Sequence, residues 1–286
     1  MKKAVLLLTL CSMALCASAG IMIYPKYLFL DDKTKSAEVT LINSSALESA
    51  NYRVTLSYKK QNPDGSYTEI ASEQAPADSA TPLLRYSPRS VTLKPSQSQT
   101  IRILKRIPEG LEPGEYVGYV TFTEVKLEKP ATKQKLEPGT FSVTITPIPS
   151  FSIPIFVRYK VKENAPVSLE AKGLTTKNGI TSLRVALNRQ AQNSRTSVRG
   201  DLTVWDGDEM IGFIKGRYIL PATDTLETAI PLRLVNAITN KDGKKEDKPL
   251  TPQELKGKTL TILFTEADED QLQKNKVLAQ AKVKLK

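Results

Sequence analysis

The stretch Tyr86–Ile103, YSPRSVTLKPSQSQTIRI, constrains the fold more than any other. Val91 and Leu93 alternate with Thr92 and Lys94, and Ile101 and Ile103 alternate with Thr100 and Arg102. Period-two alternation sets one face of an extended chain in a core and the other in water. Pro95 and the Ser-Gln-Ser run supply turn chemistry between the two halves. Pro88 holds Ser87 extended. The segment predicts a strand, a tight turn and a second strand. In its plainest form that is a β-hairpin, which any immunoglobulin-like domain can carry.

The same alternation recurs along the chain. Ala37, Val39 and Leu41 alternate with polar residues, as do Tyr52, Val54, Leu56 and Tyr58. Asn62-Pro63-Asp64-Gly65 is a turn signal. Tyr116–Val125 reads as a strand, and Lys126–Gly139, basic and carrying Pro130 and Pro138, as a long loop. Phe141–Val157 is extended but interrupted by Pro147, Pro149 and Pro154, which suits an edge strand because proline gives no ladder donor. Beyond Asn164, Thr203–Trp205 and Met210–Ile214 flank the turn Asp206-Gly207-Asp208. The polar stretch Asn236–Gln253 reads as a loop, and Thr259–Phe264 and Val277–Leu285 as closing strands. Many short strands with few helical segments predict an all-β chain of two immunoglobulin-like β-sandwich domains. Their expected limits are residues 20–160 and 161–286.

Residues 1–19 read as a secretory signal: Lys2 and Lys3, an apolar run over Ala4–Leu15, and a small-residue site at Ala17-Ser18-Ala19. The run is too short for a membrane span, and no later segment approaches one. Leu15 disfavours Cys16 as a lipidated anchor. Removing 19 of the 286 residues leaves 267, enough for two domains. Both cysteines, Cys11 and Cys16, leave with the signal, and the chain has no histidine. A disulfide, a Ser-His or Cys-His nucleophile and the usual zinc sites are thereby excluded from the mature chain. Of 41 Lys and Arg, Lys2 and Lys3 are lost, so 39 face 30 acidic residues, a net +9. That balance attracts acidic partners. The dispersed lysines lack an aromatic-rich basic motif, so no nucleic acid is expected. No glycine loop cradles a phosphate, and neither cofactor nor metal is expected.

The order Ser-Pro-Arg, an apolar alternation, Lys-Pro and then Gln-Thr-Ile-Arg-Ile resembles the periplasmic chaperones of the chaperone–usher pilus pathway, the PapD-like family. Ile23–Leu30 followed by Ser36–Asn43 is similar to that family's first two strands. Gly114-Glu115-Tyr116, with Tyr119 and Phe122, looks like its sixth, and Ser152–Arg158 like the end of its seventh. The resemblance covers residues 21–158 well and 165–286 mainly in strand pattern. It implies a non-catalytic periplasmic protein without stable membrane insertion. Such a protein binds pilus or fimbrial subunits and delivers them to an outer-membrane usher. Family members lend a strand to a subunit whose own sandwich lacks one, which is addition at a sheet edge. On this sequence the lent strand is Phe141–Ile145, with Phe141, Val143 and Ile145 on one face. Parity alone equally allows these three to fill the protein's own core.

One part of the family pattern is missing. Many members grip the subunit's terminal carboxylate with a first-strand arginine and a seventh-strand lysine. Here Tyr27, beside Lys26, stands near the first position and Pro154 at the second, so Lys26 is the substitute and the chain resembles an archaic or alternative branch. The resemblance also implies an acid–arginine–acid bridge between domains, made by Glu115, Arg158 and Asp268. Two other functions stay open. A pilus subunit or adhesin needs a detachable N-terminal donor, whereas Gly20–Leu30 runs straight into a strand. A carboxylate-dependent glycosidase needs two converging acids, and no spacing indicates them.

Overall fold

The computed structural model describes residues 20–126, 147–161, 164–190, 195–239, 245–267 and 276–286. It is built almost wholly of antiparallel strands and divides into two units. The first takes the described parts of Met1–Ser57, Ala80–Glu109 and Gly118–Phe156; the second takes those of Tyr58–Ser79, Gly110–Val117 and Val157–Lys286.

In the first unit, one sheet runs β1 (Ile21–Tyr24), β3 (Ser36–Asn43), β8 (Ser98–Lys105), β6 (Leu84–Ser87). The facing sheet runs β2 (Leu28–Leu30), β10 (Ser150–Tyr159), β9 (Gly114–Glu124), β4 (Ala50–Gln61), with β7 (Ser90–Leu93) also on β4. Read in chain order these are the A-B-E-D and G-F-C sheets of an immunoglobulin-like sandwich. The resemblance implies a first strand over Ile23–Leu30. The chain instead breaks at Pro25 into β1 and β2, which join opposite sheets. Val39, Leu41, Ile101 and Ile103 from one sheet and Val54, Leu93, Val120, Phe122 and Ile155 from the other are fully or almost fully buried.

The hairpin expected over Tyr86–Ile103 is not one. The alternation holds, but β7 pairs with β4 and β8 pairs with β3 and β6. The segment is an arch between sheets, so its two apolar faces meet across the core instead of lying side by side. Alternation states which face is buried, not which strand is the neighbour. Asn43 fixes the arch from the end of β3. Its side-chain amide donates to the carbonyls of Leu93 and Lys94, each at 3.2 Å, and to Glu48 at 2.8 Å. Gln97 closes the turn, accepting from the Lys94 N–H at 3.0 Å.

The second unit repeats the scheme. One sheet is β11 (Val167–Lys177), β12 (Ile180–Arg189), β15 (Thr225–Pro231); the other is β14 (Glu209–Ile219), β13 (Val198–Asp206), β18 (Thr259–Glu266), β19 (Val277–Lys284). Leu183, Val185 and Leu187 of β12 meet Leu202 and Val204 of β13 and Ile262 and Phe264 of β18 in one core. Gly200 is required at this seam: a Cβ there would lie 2.5 Å from both the Phe264 ring and the Thr265 carbonyl. The expected loop over Asn236–Gln253 is instead a hairpin, β16 (Arg233–Thr239) with β17 (Lys245–Pro249), followed by a short helix, α1 (Pro252–Leu255). Polar composition masked it, because its apolar anchors, Leu232, Leu250 and Leu255, lie at or beyond the ends of the strands. Thr251 caps α1 in a capping box with Glu254. Finally, β5 (Tyr67–Ile70) pairs with the far end of β4 around the turn at Gly65, whose φ of 81° suits glycine.

Candidate subunit-binding edge and its charged base

β10 lies between β2 and β9. Hydroxyl pairs align it with β9: Thr121 with Ser152 at 2.8 Å and Thr123 with Ser150 at 3.1 Å. On its other side β2 has three residues against ten in β10, so most of that edge carries no strand among the described residues. Unpaired backbone along such an edge is a template for another chain. Ile153, Ile155 and Val157 point into the core, while Phe151, on the same parity, is 40% exposed and Ile148 is 61% exposed. Phe151 therefore carries the apolar face of β10 outward at its N-terminal end, and Ile148 is exposed just before the strand begins. Phe141, Val143 and Ile145 lie outside the described residues.

Lys26 is exposed in the bend between β1 and β2, and makes no ion pair among the described residues. Pro154 sits inside β10, half-buried.

At the other end of β10 the structure brings two of the three bridge residues together. Glu115, 1% exposed, meets Arg158 with Nε to Oε2 at 2.6 Å. Its Oε1 accepts from the Ser197 N–H at 3.1 Å, and its own N–H donates to the Arg195 carbonyl at 2.8 Å. Arg158 also donates to Asn164 Oδ1 at 2.6 Å. A buried carboxylate holding a guanidinium and a backbone N–H is satisfied as such a group must be. The cluster ties the starts of β9 and β13 to the end of β10. Asp268 lies outside the described residues. Asn164 and Ser197 were not foreseen; Ser197 contributes only its backbone, which leaves no sequence signal.

Nearby, burial pushes the Tyr116 hydroxyl pKa up, with Arg195 opposing, and its O–H donates to the Glu112 carbonyl at 2.6 Å. Burial, then the Asp78 charge, also raises Tyr58. Both tyrosines are neutral hydrogen-bond donors, Tyr116 to the Glu112 carbonyl and Tyr58 to the Asp78 carboxylate. Among the described residues no group of three or more His, Cys, Asp or Glu is placed to hold a metal ion. No helix among them is long and apolar enough to cross a membrane.

No family model and no curated protein matches the chain. Solved structures do. The Pseudomonas aeruginosa CupB2 chaperone is similar at a TM-score of 0.45 and 8% identity, covering 93% of this chain and 100% of that one. A Salmonella enterica structure of SafA pilin in complex with the SafB chaperone matches at 0.45 and 12%, covering 93% and 97%. The CsuC–CsuE chaperone–tip adhesion subunit complex, from archaic chaperone–usher Csu pili of Acinetobacter baumannii, matches at 0.40 and 16%, covering 74% and 91%. Identities this low carry no residue-by-residue correspondence.

Proposed function

We propose that this protein is a non-catalytic periplasmic chaperone of the PapD-like kind. It binds pilus subunits by donor-strand complementation and hands them to an outer-membrane usher. The observation that carries this reading is the long, largely unflanked edge of β10, with exposed Phe151 and Ile148 leading toward residues 141–145. The sequence resemblance over residues 21–158 supports it. Phe141, Val143 and Ile145 are the proposed subunit-facing residues, entering pockets of the subunit while backbone bonds form along the edge. Lys26 is the proposed partner of the subunit's terminal carboxylate. The Glu115–Arg158 pair, with Asp268 as its proposed third member, holds the root of the lending strand.

The test is paired. Replacing Val143 and Ile145 by Thr keeps β-branching but places hydroxyls in apolar pockets, at ~1–3 kcal/mol each in the complex. Binding should weaken by about two decades or more. If these residues face the subunit and not the protein's own core, the free protein should keep its melting temperature. Normal subunit recovery on co-expression, or collapse of the free variant, would each overturn the assignment.

A further inference from the structure

The outer face of the sheet opposite β10 carries a second feature, unrelated to strand lending. Ile101 and Ile103 of β8 are fully buried, so alternation sends Arg102 and Leu104 outward. Leu104 is 45% exposed. Its Cα partner on β6 is Arg85 and on β3 Ser36. Arg106 follows on the same side, its N–H still bonded to the Leu83 carbonyl at 2.8 Å. Three exposed arginines thus surround one exposed leucine.

These charges are not neutralised by the fold. Arg102 and Arg106 make no side-chain hydrogen bond or ion pair among the described residues. Arg85 donates only to the carbonyls of Leu84 and Pro82, at 2.7 and 3.3 Å. Glu38 faces Arg102 across the ladder yet makes no ion pair with it. A charge on an edge strand can simply block sheet-to-sheet pairing, and that accounts for Arg85 on β6. It does not account for Arg102 and Arg106 on the chain beside it, nor for an exposed leucine between them.

We infer that Arg85, Arg102, Leu104 and Arg106 form a docking surface for an acidic protein segment that presents carboxylates on either side of an apolar side chain. Guanidinium forks suit bidentate pairing with carboxylates. Arginine is enriched at protein interfaces, where apolar contacts sit within a polar rim. An anionic lipid surface is marked by runs of cations, whereas here an apolar residue separates the arginines and exposed Glu38 faces Arg102, so protein is the favoured occupant. The surface lies on the A-B-E-D sheet and leaves the β10 edge free, so the two partners can be held at once.

The test uses the full chain and a synthetic peptide of alternating Glu and Leu as probe, with phosphatidylglycerol vesicles in parallel. Backbone amide NMR shifts on titration should centre on Arg85, Arg102, Leu104 and Arg106. Raising salt from about 0.05 to 0.5 M should weaken peptide binding about tenfold or more, as for exposed charge pairs. The double variant Arg102→Glu/Arg106→Glu should lose binding by at least about tenfold and keep its melting temperature, since both residues are exposed. The variant Arg102→Lys/Arg106→Lys should fall between. Subunit recovery should be normal in all of them, which separates this surface from the strand-lending edge. No peptide binding, shifts elsewhere, indifference to charge reversal, or binding to vesicles alone would each overturn the inference.

Discussion

Gln61 replaces a strand at the end of β14. Its side-chain amide donates to the Tyr218 carbonyl at 2.8 Å and accepts from the Leu220 N–H at 3.0 Å. Those are the two backbone groups that a neighbouring peptide unit would engage. Thr223 donates to the Gln61 carbonyl at 3.3 Å, and the Glu227 N–H to that of Pro63 at 2.6 Å. The β4–β5 hairpin is thereby fastened to the β14–β15 connection inside the second unit.

Gln61→Ala should therefore orphan one buried acceptor and one buried donor. Each costs about 1–3 kcal/mol when left unpaired. Gln61→Glu keeps the acceptor for Leu220 but sets a carboxylate against the Tyr218 carbonyl, so it should be no better. Thermal unfolding of both variants checks this; an unchanged melting temperature would mean that water replaces the amide at no loss.

Asn43→Ala should loosen the arch between β7 and β8. One amide serves three carbonyls there, two of them in the turn that crosses between the sheets. With partial rescue by water, a loss of about 1–3 kcal/mol is expected. Hydrogen exchange should quicken most at Ser96 and Gln97, whose N–H groups bond to the Ser45 and Lys94 carbonyls. Uniform quickening across the unit would argue against a local role.

The all-β class and most strand positions were legible in the sequence, because alternation reports burial directly. Val91, Leu93, Ile101 and Ile103, which alternate with polar neighbours, are all core residues. Their partners were not legible, since a hairpin and an arch have the same periodicity and differ only in which sheet the second strand joins. The β16–β17 hairpin is hidden by its composition: its buried leucines, Leu232 and Leu250, flank the strands, and β17 itself, Lys245–Pro249, is wholly polar but for its proline. At the candidate site, Glu115 and Arg158 came from family resemblance, not from periodicity. Gln61 carried no signal, because a buried glutamine looks like any surface glutamine until its two backbone partners are known.

Glu254 provides a pH prediction. Its hydrogen bond with Lys248, then those with Thr251, lower its pKa from 4.5 to about 2. A carboxyl held below its unfolded value contributes stability above that value and loses it as pH falls through the folded one. The α1 capping box should be intact above about pH 4.5 and give way toward pH 2. Carboxyl NMR of Glu254 reads the titration directly, and Lys248→Met should move it back up. A midpoint near 4.5 in the unaltered protein would remove the Lys248 contact from the account.

Arg158→Ala should leave Glu115 buried with, among the described residues, a single hydrogen-bond donor on its carboxylate, the Ser197 N–H. Breaking a fully buried pair costs about 3–5 kcal/mol. Arg158 is 23% exposed on its side chain, so water reaches part of the site and about 1–3 kcal/mol is the expected loss. Glu115→Gln is the informative companion. It keeps an oxygen for Ser197 while removing the charge, so it separates the ion pair from the backbone tie. If the pair is what matters, Arg158→Ala and Glu115→Gln should lower the melting temperature similarly, and the double variant should cost less than the sum of the two. If the tie to Ser197 dominates, Glu115→Gln should be nearly neutral and Glu115→Ala severe. A double-mutant cycle by chemical denaturation decides between them. Full additivity of Arg158→Ala and Glu115→Gln would show that the 2.6 Å contact couples nothing.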